Sequence, residues 1–264
     1  MDIRIFSYLP NPRIWKSTIT ARLCGVDIDI RGAAPKKLQD WLWDFDAHPL
    51  TETERKNSDA YAREARTGFG GKLYKTDAFL SANPFGTVPA AFSPDGTVGI
   101  FESNSIMRTV ARLGSDTLPL YGDDAYSASR IDSFLDASLV FARDSQIYLL
   151  AMNNDKVTKE IHSRAHDALH TYLGGLNRAL APDRMYLVGD SLSIADICVV
   201  AELALFSRER NFAAALQAID CACITGAATD ERYPLITKHF QTLCDHEAFA
   251  PDVQPYLAKI AANN

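Results

Sequence analysis

The sequence predicts an α/β unit followed by an all-helical one. Three observations carry this. Residues 3–8 (IRIFSY) alternate as a short strand, residues 13–23 recur at helical spacing, and residues 26–30 read as a second strand. Residues 83–108 read as a turn, a strand, a tight turn, a second strand and a helix. Beyond a polar, turn-rich stretch at 115–125, apolar residues recur at helical spacing over 126–152 and again from Lys156 to Leu180. The predicted units are therefore 1–114, carrying a long insert at about 31–78, and 126–264.

Each element has a local cause. The first strand is broken at Leu9-Pro10-Asn11-Pro12, because proline donates to neither a ladder nor a helix interior. Ile14, Ile19 and Leu23 then mark one helix face, ended near Gly25. Val88-Pro89 opens the next strand, at an X-Pro link, the kind to which cis peptides are nearly confined and where one would signal purpose. Pro94-Asp95-Gly96 between apolar runs signals a hairpin. Glu102-Ser103-Asn104-Ser105 supplies helix-start residues ahead of Ile106, Val110 and Leu113. In the second unit, Ser193 and Asp196 form an S-x-x-D capping pattern before the apolar run ICVVAELALF.

The insert reads differently. Trp41 and Trp43 are spaced for one face, with Leu38 and Phe45 nearby. A charged stretch from Thr51 to Arg66 is helical in composition, and Gly68-Phe69-Gly70-Gly71 is a turn. A loop of this length is expected to act as a lid or a partner contact, the alternative being a mere surface excursion.

Composition bounds the function. The 264 residues carry 47% apolar and 23% charged residues, the balance of an ordinary soluble chain. The net charge of −6 argues against a nucleic-acid surface and a polybasic membrane anchor. No run approaches a membrane span, and the first residues, MDIRIFSY, lack the pattern of a signal peptide. Five cysteines (24, 198, 221, 223 and 244) are odd in number and unframed, which fits a reducing cytoplasm. His162, His166 and His170 form a column at four-residue spacing with no carboxylate or Cys in register except Asp167, so no metal is expected.

The run Asn83-Pro84-Phe85-Gly86-Thr87-Val88-Pro89 and, past the hairpin, Glu102-Ser103-Asn104-Ser105-Ile106 resemble the N-P-x-G-x-V-P and E-S-x-x-I patterns of the glutathione transferase superfamily. Leu187 to Asp196 resembles that superfamily's L-V-G-x-x-x-S-x-A-D capping motif, and Tyr233 to Phe249 its penultimate helix. The resemblance implies a thioredoxin-like glutathione-binding domain followed by an all-helical C-terminal domain. It implies that the Val88 backbone, beside Pro89, pairs with the cysteinyl part of glutathione as an added strand would. Glu102 would face the γ-glutamyl ammonium, and Ser103 with the helix start its carboxylate. Thr87 and Arg13 join this binding set, and Lys72 or Lys75 could face the glycyl carboxylate. Thiolate stabilisation falls to the break between first strand and helix. It holds no Cys, which excludes thiol exchange in its usual form, so Asn11 and Tyr8 lead and Ser17 follows.

Two subfamilies look nearest: the transferase-like domain of the elongation factor 1B gamma subunit, which shares the opening SYLPNPRIWKS and the ESN-I helix start, and the bacterial glutathione-dependent β-etherases. The second implies cleavage of lignin-derived aryl ethers by glutathione thiolate; the first implies a non-catalytic scaffold or dimerisation subunit. Leu9, Tyr121, Tyr126, Phe141 and Tyr148 are the expected lining for an aromatic second substrate, and a homo- or heterodimer with another chain of this fold is the expected assembly.

Overall fold

A computed structural model describes residues 1–65 and 68–262. The chain divides into two compact units, Met1–Leu118 and a second beginning at Pro119.

The first unit is built on a four-stranded sheet ordered β2-β1-β7-β8, from β1 (Ile3–Tyr8), β2 (Ile28–Ala33), β7 (Ala90–Phe92) and β8 (Gly99–Phe101). β1 and β2 are parallel and are joined through helix α1 (Pro12–Cys24); β7 and β8 are antiparallel to their neighbours, as their hairpin requires. Alternation along β1 assigns its faces. Ile3 and Ile5 are fully buried on one side, whereas Arg4, Phe6 and Tyr8 project to the other. α1 packs against α4 (Ser103–Leu113) so closely that a side chain at Gly114 would collide with Cys24 Sγ.

The second face of this sheet is covered by the insert, which is not the loop its length suggests. Residues 41–75 form a second four-stranded sheet ordered β4-β3-β6-β5, from β3 (Trp41–Trp43), β4 (His48–Pro49), β5 (Ala62–Glu64) and β6 (Lys72–Lys75). Trp41 and Trp43 do share one face, as their spacing predicts: both rings meet Phe6, Trp43 edge-on at 5.3 Å and Trp41 stacked at 6.2 Å. Phe6, Leu38, Trp43, Leu73, Phe79 and Phe92 are 2% exposed or less and form one apolar cluster. Phe79 arrives from α3 (Asp77–Ala82). Arg4 pins the insert's edge: it pairs with Asp29 (2.7 Å) and Asp46 (3.0 Å) and lies over the Phe45 ring. The charged stretch is helical only over α2 (Glu52–Lys56), closed by a Thr51–Glu54 capping box, and a 3₁₀ turn, Ser58–Ala60; β5 follows, and Arg66 lies outside the described residues.

The second unit is helical, with α5 (Ala125–Asn153), α6 (Lys159–Ala179) and α7 (Ile194–Phe206) at its centre, then α8 (Ala213–Gln217), α9 (Ala227–Arg232), α10 (Pro234–Cys244) and α11 (Ala250–Ala262). The predicted capping box closes. Ser193 Oγ accepts from the Ala195 N–H, and the fully buried Asp196 carboxylate accepts from Ser193 N–H (2.9 Å), Ser193 Oγ (2.9 Å) and Leu187 N–H (3.0 Å). Asp196 thus ties the preceding loop to the start of the most buried helix. Among the described residues no helix is long and apolar enough to cross a membrane, and no cluster of ligands could hold a metal. All five cysteines are free thiols.

Candidate functional site

The sheet register assembles the site. Phe6 pairs with Ala90 and Ala90 with Phe101. The C-terminal end of β1, the start of β7 and the end of β8 therefore lie side by side. The break after Tyr8, the Val88-Pro89 link and Glu102-Ser103 consequently converge on one end of the sheet. The Val88-Pro89 bond is cis, as its sequence suggested, and Leu9-Pro10 is cis as well.

The loop before β7 is held by two buried side chains. Asn83 donates through Nδ2 to the Thr87 carbonyl (2.7 Å). Lys75, 8% exposed, donates to the Gly86 carbonyl (2.7 Å), and its ammonium lies over the Trp43 ring. Gly86 has φ +59, and an added Cβ would lie 3.2 Å from that ammonium, so glycine meets both demands. Lys75 is thus a brace for the loop carrying Val88, whereas Lys72 is exposed at the start of β6. Val88 is half-buried and Thr87 exposed.

At the start of α4, Glu102 is exposed and has φ +68, rare for a residue with a side chain. Such a conformation costs about 1–3 kcal/mol and persists where surrounding structure enforces it, most often at ligand sites. Ser103 and Asn104 are buried, and both are met from behind by Lys16 of α1.

In the break, Asn11 is 1% exposed. Its Oδ1 caps α1 by accepting from the Arg13 N–H (3.0 Å), while its Nδ2 donates to Ser7 Oγ (3.1 Å). Tyr8 and Arg13 are half-buried, and Ser17 is buried one turn into α1. β2 crosses close by: an added Cβ at Gly32 would lie 1.9 Å from the Ser7 carbonyl oxygen, so only glycine fits there.

The residues expected to line an aromatic pocket have separate placements. Leu9 is half-buried at the break. Tyr121 donates to Asp132 (2.7 Å), and Tyr126 is 89% exposed at the start of α5. Phe141 and Tyr148 are interior to the second unit: Phe141 stacks on Tyr172 at 4.6 Å, and Tyr148 donates to the buried Glu209 (3.0 Å). The three histidines of α6 also have protein partners. His162 meets the Ala222 carbonyl, His166 meets Asp167, and His170 meets the Tyr233 hydroxyl. Burial holds the His170 imidazole below its usual range, helped by the neighbouring His166 and Arg232.

Lys16 escaped the sequence reading. Its signal is a lysine between Trp15 and Ser17 in a helix with buried residues on most sides.

Against this geometry, the family model described as Glutathione S-transferase, C-terminal domain, matches residues 137–247. Residues 137–247 thus match that family's C-terminal domain, and the chain as a whole shares the glutathione S-transferase fold. Its similarity runs particularly to elongation factor 1-gamma chains. One of these, elongation factor 1-gamma 2 of Oryza sativa subsp. japonica, is 32% identical over 182 residues, 68% of this chain and 39% of the relative. The chain thus spans about two fifths of that relative's length. Among solved structures, the glutathione transferase URE2P5 from Phanerochaete chrysosporium superposes with a TM-score of 0.65 at 16% identity, covering 99% of this chain and 97% of the other. Ure2p in complex with glutathione gives 0.61 at 19% identity, covering 95% and 97%. These two are likenesses of fold.

Proposed function

We propose that this chain binds glutathione at the shared end of β1, β7 and β8 and joins the glutathione thiolate to an activated carbon of an aromatic electrophile, displacing its leaving group. The observation that carries this reading is the convergence of the Val88-Pro89 link, the Glu102-Ser103 helix start and the Cys-free break on one sheet end. The Val88 main chain would pair with the cysteinyl backbone. Glu102 would take the ammonium, and Ser103 with the α4 N-terminus the carboxylate of the γ-glutamyl end. A donor in the break, Asn11 or Tyr8, would favour the thiolate over the thiol and so lower the sulfur's pKa. The particular reaction proposed is cleavage of a β-aryl ether. The thiolate forms a C–S bond as the C–O bond breaks, and the electron pair leaves with the phenolate. The protein's share is to fix both reactants in attack geometry and to stabilise charge. The complex of glutathione with Ure2p supports the binding step by likeness of fold.

A turnover screen with glutathione against β-aryl ethers, halo-aromatics and peroxides tests this. Activity is expected on one of the first two; activity on peroxides alone contradicts it. Pairing with a second chain of the same fold is part of the proposal. The exposed apolar side chains of α5, Val140 (72%), Ile147 (43%) and Leu139 (38%), support it. Five free thiols support a reducing, cytoplasmic setting.

A second reading, a non-catalytic scaffold or dimerisation subunit, is favoured by the similarity to elongation factor 1-gamma 2. Retention on glutathione-agarose and titration of the bound thiol separate the two. No retention and an unshifted thiol leave only the scaffold.

A further inference from the structure

Lys16 stands on the inward side of α1 with 1% of its surface exposed. Its Nζ lies 2.7 Å from Asn104 Oδ1 and 3.3 Å from Ser103 Oγ. A lysine this deep is unusual, because removing an ammonium from water is costly unless neighbours receive its hydrogens. An apolar side chain would fill the space between two packed helices without that cost. The lysine instead delivers a full positive charge behind the first two residues of α4.

The chemistry of these contacts is directional. An ammonium has three donors and no acceptor. In its bond to Ser103, the serine oxygen must therefore accept. That leaves the serine's own hydroxyl hydrogen to point away from Lys16. The same holds for Asn104, whose Oδ1 accepts from Lys16 and whose Nδ2 hydrogens point elsewhere. At the helix start the hydroxyl hydrogen of Ser103, 6% exposed, is thus turned away from the buried cation, while Asn104, 1% exposed, helps to hold that cation in place. The charge itself adds to the partial positive end of α4, and burial makes it count for more than it would in water.

We infer that Lys16 is a positioning and specificity-determining residue of the glutathione site, biasing the Glu102-Ser103 anchor toward a ligand end that carries a carboxylate. This rests on the reading of that site as the γ-glutamyl anchor. Glu102 alone would attract any amine. With Lys16 behind Ser103, the anchor selects an α-amino acid over a simple amine, because the carboxylate faces a donor hydroxyl, a helix start and a buried cation together.

The test is calorimetric titration of the full chain with two ligands. One is glutathione, and the other is γ-aminobutyryl-cysteinyl-glycine, which lacks only the γ-glutamyl carboxylate. The wild type should prefer glutathione by roughly tenfold or more, the range of a charge-assisted contact. Lys16→Met should weaken glutathione about tenfold while leaving the analogue within about twofold, so that the preference collapses. Lys16→Gln keeps a donor to Ser103 without the charge. It should fall between the two and serves if the methionine variant does not fold. Unchanged preference in a folded variant, or equal loss of both ligands, overturns the role of Lys16. Wild-type chain that binds neither ligand overturns the glutathione reading itself, and this inference with it.

Discussion

Asn11 has two duties that substitution can separate. As the α1 cap it accepts through Oδ1, and as the proposed thiolate donor it would give a hydrogen from Nδ2. Asn11→Asp keeps the acceptor and removes the donor. If Asn11 is the donor, this change should cost about 2–4 kcal/mol of transition-state stabilisation, the range for an oxyanion-hole donor, with little change in melting temperature. Asn11→Ala should add a stability loss of about 1 kcal/mol for the missing cap. Tyr8→Phe should then be nearly silent. The reverse pattern, a silent Asn11→Asp and an impaired Tyr8→Phe, moves the role to Tyr8; steady-state kinetics beside thermal melts decides. Much of this site was legible, because Val88-Pro89, Glu102-Ser103 and the proline-flanked break are local motifs. Lys16 and the bracing role of Lys75 were not. Each depends on a partner far along the chain, Asn104 for one and Gly86 for the other.

Among the elements, the insert was least legible. Its strands are two to four residues long and pair across distant parts of the chain, β3 with β6 in parallel and β5 with β6 antiparallel. No periodicity builds up over so few residues, although the Trp41 and Trp43 spacing did mark the buried face. The insert should also show a small pH dependence. His48 donates from Nδ1 to the Asp46 carbonyl and lies 3.1 Å from Glu54, an arrangement that needs both ring nitrogens protonated. That carbonyl and then Glu54 raise its pKa above the ordinary value. The contribution is complete below about pH 6.5 and is lost as the pH rises through the raised value. At a partly exposed site it amounts to no more than about 0.5 kcal/mol. Protection factors at α2, with the intrinsic base-catalysed rise in exchange divided out, should fall over that window in the wild type and stay level in His48→Gln; equal profiles contradict the pairing. By contrast, the α7 cap was legible four residues at a time. Asp196→Ala leaves the Leu187 and Ser193 N–H groups buried without their acceptor. It should cost about 3 kcal/mol or more by chemical denaturation, from two unmet donors and a lost cap. A loss under about 1 kcal/mol would show that other acceptors replace it.

For the whole molecule, the two-unit order followed from hydrophobic period and turn residues: alternation and a hairpin first, a polar stretch at 115–125, then helical spacing. The proposed aromatic electrophile did not follow from the residues, since such a ligand leaves no motif and the rings expected to meet it include core residues such as Tyr148. The proposed activity therefore requires glutathione binding by the first unit. Calorimetric titration of glutathione into the wild type and Ser103→Ala tests it most directly. Saturable binding to the wild type and a roughly tenfold weaker constant in the variant are expected, the effect of one hydrogen bond to a charged group. Absence of binding to the wild type at millimolar glutathione, or equal affinity in the two, would contradict it.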